Sequence, residues 1–465
     1  MGRESTGWLA SRSHKAGIAP NQQISLALED ACQNILILGG IGSGKTTCAV
    51  HPLLIQLLDQ NCGGLIFDIK GDFQKAVLII AENVGNASDN VIVIGPNHCP
   101  MNLLAGLTPE IAASFLKSVF MLGSGHRNET FWIDTATELC RNTLGILSFI
   151  PKHYSLHGLY NYLFDTETRI AIDDEVKKLL PSLNEENKKT ARLLNSYWQY
   201  QEKVFDQFDE KVKAGVNATI AQVLAPFNHP DLIDAFCSTS ENNVPIEDVL
   251  NGAVYLVALP LAVWGLGGKV VYTLIKLRFF NVMQLRTSQQ TEMTEENEST
   301  KKPVFFMCDE FQEIVSANRD GLSDLNFWDK SRSSKTIGII SAQAISSFYA
   351  AIGDRDVANA LLQNFRQKIC FKTEDITTLQ YFNSLADKVE ITRKTHSTTG
   401  GNTSSGLFGH DSSSSSSTEN LVLVDKPVLD AQLFRELKPE QALALLSFNG
   451  HSIDDVLNVM PIYID

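Results

Sequence analysis

The sequence predicts an α/β protein with a mostly parallel central sheet, a phosphate-binding end and an all-helical domain inserted into the core. Three observations predict it. An apolar run, Asn34 to Leu38, falls directly into a glycine-rich turn that ends in Lys45 and Thr46. Further apolar, strand-like runs follow at 63–73 ("GGLIFDIKGDF") and 90–96 ("NVIVIGP"), and core strands resume near residue 250 with "GAVYLVALP". Between these groups lies a long stretch with almost no strand signal, rich in Leu, Ala, Lys, Glu and aromatics at helical spacing.

The first element sets the chemistry. Gly39-Gly40-Ile41-Gly42-Ser43-Gly44-Lys45-Thr46 fits G-x-x-x-x-G-K-[ST], with Thr47 next. Glycines in such a loop permit positive φ and close approach, so that successive backbone N–H groups surround a polyphosphate. The helix that follows adds its positive end to the same anion. Lys45 is placed to neutralise β/γ-phosphates, and the Thr46 hydroxyl to reach Mg²⁺. The expected ligands are therefore ATP and Mg²⁺, held by residues 39–47. A plain glycine-rich turn is the alternative. The strand before it and the apolar positions Val50, Leu53, Leu54, Leu57 and Leu58 after it favour the nucleotide. Pro52 is out of place in that helix and should kink or strain it.

A chain of 465 residues holds about three domains' worth of material. Its eight cysteines show no C-x-x-C pairing or histidine partners at ligand spacing, which points to a reduced, cytosolic setting rather than disulfides or zinc. No signal-peptide pattern opens it. The greasiest stretch, 252–268, is short and broken by Pro260, and reads as a core strand running into a helix. A formal charge of −14 argues against a surface with general nucleic-acid affinity, though not against a local basic channel.

The organisation follows. Residues 1–100 form the first part of the nucleotide-binding domain, 101–245 the inserted helical domain, and 246–394 the second part. Residues 287–302 read as a polar loop. Residues 395–420, rich in Ser, Thr and Gly, are expected to be disordered. Residues 421–465 supply closing strands, "QALALLSF" and "VLNVMPIYI".

The second half carries the remaining candidates. "PVFFMCDEF" (303–311) is an apolar strand ending in two carboxylates: Asp309 is placed to hold the Mg²⁺ shell and Glu310 to polarise a water. Two solvated acids after a strand is the alternative. The strand "TIGIISAQ" ends in Gln343, where parallel sheets place ligand contacts. It could bond the γ-phosphate or the lytic water. Arg332, eleven positions earlier, reads by itself as a surface arginine.

These residues, together with "FDIKGD" (Phe67 to Asp72) and the helix positions Phe131, Trp132, Ala136 and Leu139, occur in an order that resembles the type IV coupling proteins, the TraG/TraD-like ATPases of conjugation and type IV secretion within the FtsK/HerA class of translocases. The resemblance spans nearly the whole nucleotide-binding core. It implies a RecA-like sheet, a homohexamer with nucleotide at subunit boundaries, Arg332 as an arginine finger reaching the neighbour's ATP, and Gln343 as a sensor. It implies single-stranded DNA bound to a relaxase as cargo, and secretion-channel components as partners. Asp68, Lys70 and Asp72 match the family's second-strand motif, and a structural or a catalytic role is open for each. Coupling proteins usually begin with transmembrane helices, and none is evident here. The expectation is a cytoplasmic protein, peripheral at the inner membrane through a partner. Two alternatives stay open: a double-stranded DNA translocase, and a platform that recruits secreted protein effectors.

Overall fold

The computed structural model describes residues 3–5, 23–85, 88–123, 130–186, 188–240, 242–288, 302–318, 321–386, 388–403, 412–427, 429 and 431–464. In chain order the strands are β1 (Arg3–Ser5), β2 (Gln23–Ile24), β3 (Ile35–Leu38), β4 (Gly63–Asp68), β5 (Val91–Ile94), β6 (Val254–Ala258), β7 (Val304–Cys308), β8 (Thr336–Ala342), β9 (Gln367–Cys370), β10 (Lys388–Thr403), β11 (Ser412–Pro427), β12 (Gln441–Phe448) and β13 (His451–Asn458). Eleven of them form one sheet, ordered β2-β1-β13-β12-β9-β3-β8-β7-β4-β6-β5. From β9 to β5 every pairing is parallel, and β12, β13, β1 and β2 extend the β9 side in antiparallel fashion.

The parallel strands are apolar throughout because both sheet faces are covered. Alternate side chains go to opposite faces. Leu36, Leu38, Leu65, Phe67 and Phe306 join one buried cluster, and Ile35, Ile37, Ile66, Phe305 and Met307 the other. Parallel strands also align their carboxyl ends along one rim, so the ends of β3, β4, β7 and β8 share an edge of the molecule.

Between β5 and β6 the described residues form helices and no strand: Pro109–Gly123, Thr130–Leu147, Leu156–Phe164, Thr166–Glu186, Lys188–Lys203, Glu210–Leu224 and Pro230–Phe236. Their starts are locally encoded where a side chain takes a free first-turn N–H. Ser155 accepts from Gly158 and Asp209 from Val212. Phe115, Leu116, Leu139, Leu144, Val216 and Ile220 are buried in the first cluster. The greasy stretch at 252–268 is β6 followed by the start of the helix Leu261–Ser288, which is interrupted at Gly265 (φ 47°). Nearly all of the polar loop expected at 287–302 lies outside the described residues.

Two expectations need correction. Residues 395–420, read as disordered, lie largely within a long antiparallel ladder, β10 against β11, from Lys388↔Pro427 to Thr403↔Ser412. A ladder is made by backbone groups, which a serine-rich strand has in full. The last expected strand, "VLNVMPIYI", also ends early: β13 stops at Asn458 and the chain leaves the sheet. Pro461 lacks the N–H that a continuing ladder needs.

Candidate functional site

The carboxyl end of β3 opens into the phosphate loop. Gly42 (φ 69°) and Gly44 (φ 89°) adopt the left-handed backbone that lets the loop wrap inward. The Lys45 ammonium is buried and donates to the carbonyls of Gly39 (2.6 Å) and Gly40 (3.1 Å). Burial pulls its pKa down, while Asp309 and Glu310 pull the other way. The Ser43 hydroxyl is buried without a hydrogen-bond partner, and Thr46 beside Lys45 is half-buried. Thr47 Oγ1 donates to the Gly44 carbonyl at 3.4 Å.

Pro52 sits beside a local defect in the helix behind the loop. Thr46–Val50 form a π-turn, in which His51 N–H donates to the Thr46 carbonyl, and the α-helix His51–Asp59 follows with Pro52 near its start. In that widened turn the Thr47 carbonyl would take its bond from residue 52, which has no N–H to give. The backbone N–H of Ile462 supplies it instead, at 2.9 Å.

β7 delivers the carboxylates. Asp309 Oδ1 accepts from the Ser341 hydroxyl, and Asp309 Oδ2 pairs with Lys70 Nζ at 3.1 Å. Glu310 is buried and has a left-handed backbone (φ 53°). Its Oε1 pairs with Lys70 Nζ at 2.7 Å and accepts from Gln343 Nε2 at 3.4 Å, and its Oε2 accepts from Gln312 Nε2 at 2.6 Å. Burial raises the Glu310 carboxyl, but the hydrogen bonds from Lys70 and Gln312 outweigh it and hold the pKa below its ordinary value. For Lys70, burial works against the charge and the two carboxylates more than restore it, so its pKa is raised.

Residues 41–48, Lys70, Asp309, Glu310 and Gln343 line one cavity of about 420 Å³, with Pro439, Glu440, Pro461 and Tyr463 on its remaining side. The donors suit a magnesium nucleotide. Thr46 and Asp309 offer the hard oxygens that Mg²⁺ prefers. The carboxylate pair already draws the ammonium of Lys70 between its members, and the partnerless Ser43 hydroxyl is a donor awaiting an acceptor.

The structure separates the three second-strand residues. Asp68 accepts from the N–H groups of Gly71 (2.7 Å), Phe73 (3.2 Å) and Gln74 (2.9 Å), closing the turn that starts the next helix. Lys70 reaches the carboxylates, and Asp72 is exposed. Arg332 is not brought to the site of its own chain. It is exposed in the turn before β8, at the strand end opposite Gln343. The seven residues of β8 span about 20 Å. That turn is anchored by Asn34, buried at the start of β3 with φ 65°. Its Nδ2 donates to Ser331 Oγ (2.9 Å) and the Asn364 carbonyl (3.0 Å), and its Oδ1 accepts from Gly338 N–H (2.8 Å).

Sequence reading missed the Lys70 bridge, Ser341 and the C-terminal wall of the cavity. The mismatch of Pro52 with its helix was the one signal of the last.

Two family models match the chain. One describes the DNA-binding domain of type IV secretion-system coupling proteins and covers residues 21–148; the other describes the TraM recognition site of TraD and TraG and covers residues 303–439. No curated protein sequence matches. Among solved structures, the unbound monoclinic form of the bacterial conjugative coupling protein TrwBdeltaN70 superposes with a TM-score of 0.65 at 14% identity, covering 100% of this chain and 94% of that one. TrwB with the GTP analogue GDPNP gives 0.64 at 15% identity, and TrwB with ADP and Mg²⁺ gives 0.63 at 14%, each with the same coverage of 100% and 94%. The shared fold is a RecA-like sheet with helices.

Proposed function

The chain belongs to the family of type IV secretion-system coupling proteins, and from that premise we propose that it hydrolyses ATP to move single-stranded DNA, with its relaxase, toward a secretion channel. The observation that carries this is the convergence of the phosphate loop, Asp309, Glu310 and Gln343 on one cavity. Backbone N–H groups of the loop and Lys45 bind the phosphate chain. Thr46 and Asp309 are the residues that would hold Mg²⁺, which when bound supplies charge neutralisation for the β- and γ-oxygens. Glu310 orients and deprotonates the attacking water, and Gln343 fixes the carboxylate that does so. Lys70 must give up Glu310 for that step, since it now holds Oε1.

Arg332 acts across a subunit boundary, in a homohexamer whose sites are completed by the neighbour. In other nucleotide hydrolases such a finger is worth about 10³–10⁵ in rate. Its distance from the site of its own chain supports a role in trans rather than in cis. The match to a TraM recognition site supports a relaxosome protein as partner. Among the described residues no helix is long and apolar enough to cross a membrane. We place the protein in the cytoplasm, against the inner membrane through a partner.

The test is ATPase turnover of the purified chain, with and without single-stranded DNA, at low and moderate salt. Stimulation by single-stranded DNA that weakens with salt is expected. Stimulation by duplex DNA alone would replace the proposal with a duplex translocase, and DNA-independent turnover with an effector platform. Absence of turnover would remove the motor. Mixing Arg332→Ala with Glu310→Gln subunits should restore hydrolysis at mixed interfaces; no recovery at any ratio overturns the role in trans.

A further inference from the structure

Residues Val459–Ile464 follow β13 and run back to the phosphate loop, held by three hydrogen bonds, two of them to Thr47 and His51. Val459 N–H donates to the Glu440 carbonyl at 2.8 Å, and Ile462 N–H fills the Thr47 carbonyl left open by Pro52 at 2.9 Å. His51 Nδ1 donates to the Ile462 carbonyl at 2.9 Å, its buried ring stacked on Phe73. A segment held this way is a structural element of the site.

Its alternation then decides what faces the cavity. Pro461 and Tyr463 line it, and Ile464, partly buried, packs against the second cluster. Tyr463 is 72% exposed and Ile41, in the lining of the same cavity, 89% exposed. These two large side chains and Pro439 share the lining with the phosphate loop, the ammonium groups of Lys45 and Lys70 and two carboxylates. The lining therefore offers both polar and apolar surface. Its complement is a flat aromatic ring joined to a polyanion.

We propose that the C-terminal segment is a nucleobase shelf, on which the base of the bound nucleoside triphosphate stacks against Tyr463 while Ile41 covers its other side. This rests on the nucleotide reading of the cavity and deepens it. Stacking on an aromatic ring reads the face of a base, so affinity gained here separates a nucleotide from a bare polyphosphate. The Pro52 defect is the attachment point of the shelf.

The test compares Mg·ATP with Mg·tripolyphosphate as titrants of the full chain by calorimetry. Tyr463→Ala should weaken ATP binding by about tenfold, leave tripolyphosphate unchanged, and be rescued by Tyr463→Phe. Pro52→Ala restores an N–H that competes for the Thr47 carbonyl, and should weaken ATP but not tripolyphosphate. Equal losses for both titrants, or no loss with Tyr463→Ala while Lys45→Ala abolishes binding of both, would overturn the shelf and leave the nucleotide site standing. If the unaltered chain binds neither titrant, the nucleotide reading itself falls and the shelf with it.

Discussion

Two lysine–carboxylate clusters flank the end of β7, and they are built to opposite standards. Lys276 and Asp324 are 0% exposed and 2.6 Å apart. The pair is densely bonded: Asp324 also accepts from Ser316 N–H (2.7 Å), Ser316 Oγ (2.9 Å) and Trp328 Nε1 (3.0 Å), and Lys276 also donates to the Ile314 carbonyl at 2.5 Å. Lys70, by contrast, is 44% exposed beside Asp309 and Glu310 at 21% and 7%. The closed cluster ties down the segment that follows Asp309 and Glu310; the open one leaves its ammonium within reach of solvent. Ion-pair chemistry is the same in both, and solvent access is what separates them.

Breaking the closed cluster should have the largest effect on the fold. Lys276→Ala strands a buried carboxylate, and urea unfolding should report a loss of about 3–5 kcal/mol. The double change Lys276→Met with Asp324→Leu removes both charges and should recover most of that. In the open cluster the large effect moves from stability to rate. Glu310→Gln should lower ATP turnover by about 10²–10⁴-fold with nucleotide binding retained, measured by steady-state hydrolysis and calorimetry. Lys70→Met should cost less stability than Lys276→Ala, because the Lys70 ammonium is 44% exposed whereas Lys276 is fully buried. It should also lower the Mg²⁺ concentration needed for half-maximal hydrolysis, because the ammonium no longer competes for Asp309.

The smallest effect is on acid sensitivity. The Glu310 carboxyl is held below its ordinary pKa in the fold. It therefore adds stability at neutral pH that is lost as the pH falls below the ordinary carboxylate range and through the lower folded value. Lys70→Met removes one of the bonds that depress it and should shrink this acid-dependent loss in thermal melts. An unchanged profile would mean that Gln312 alone sets the ionisation.

What could be read in advance was whatever is contiguous. The loop from Gly39 to Thr47 and the pair Asp309–Glu310 are runs of neighbours in sequence, and the strands that carry them are plain apolar runs. Gln343 was legible because a parallel sheet sends strand ends to its ligand rim. The Lys70 bridge joins residues 239 positions apart and the His51–Ile462 contact residues 411 apart, and no local pattern encodes such a meeting. The serine-rich arm misled for a different reason: composition measures side-chain burial, whereas the β10–β11 ladder is assembled from main-chain groups.

Asn34 has a mechanical consequence. Asn34 immediately precedes the strand that carries the phosphate loop, and its side chain bonds Gly338 within β8 and the serine next to Arg332. If Arg332 acts in trans as proposed, a displacement of β3 would reach the turn that carries it through this one amide. In the proposed ring, movement at one phosphate loop would then pass on to the next seam as a turn of a linked train.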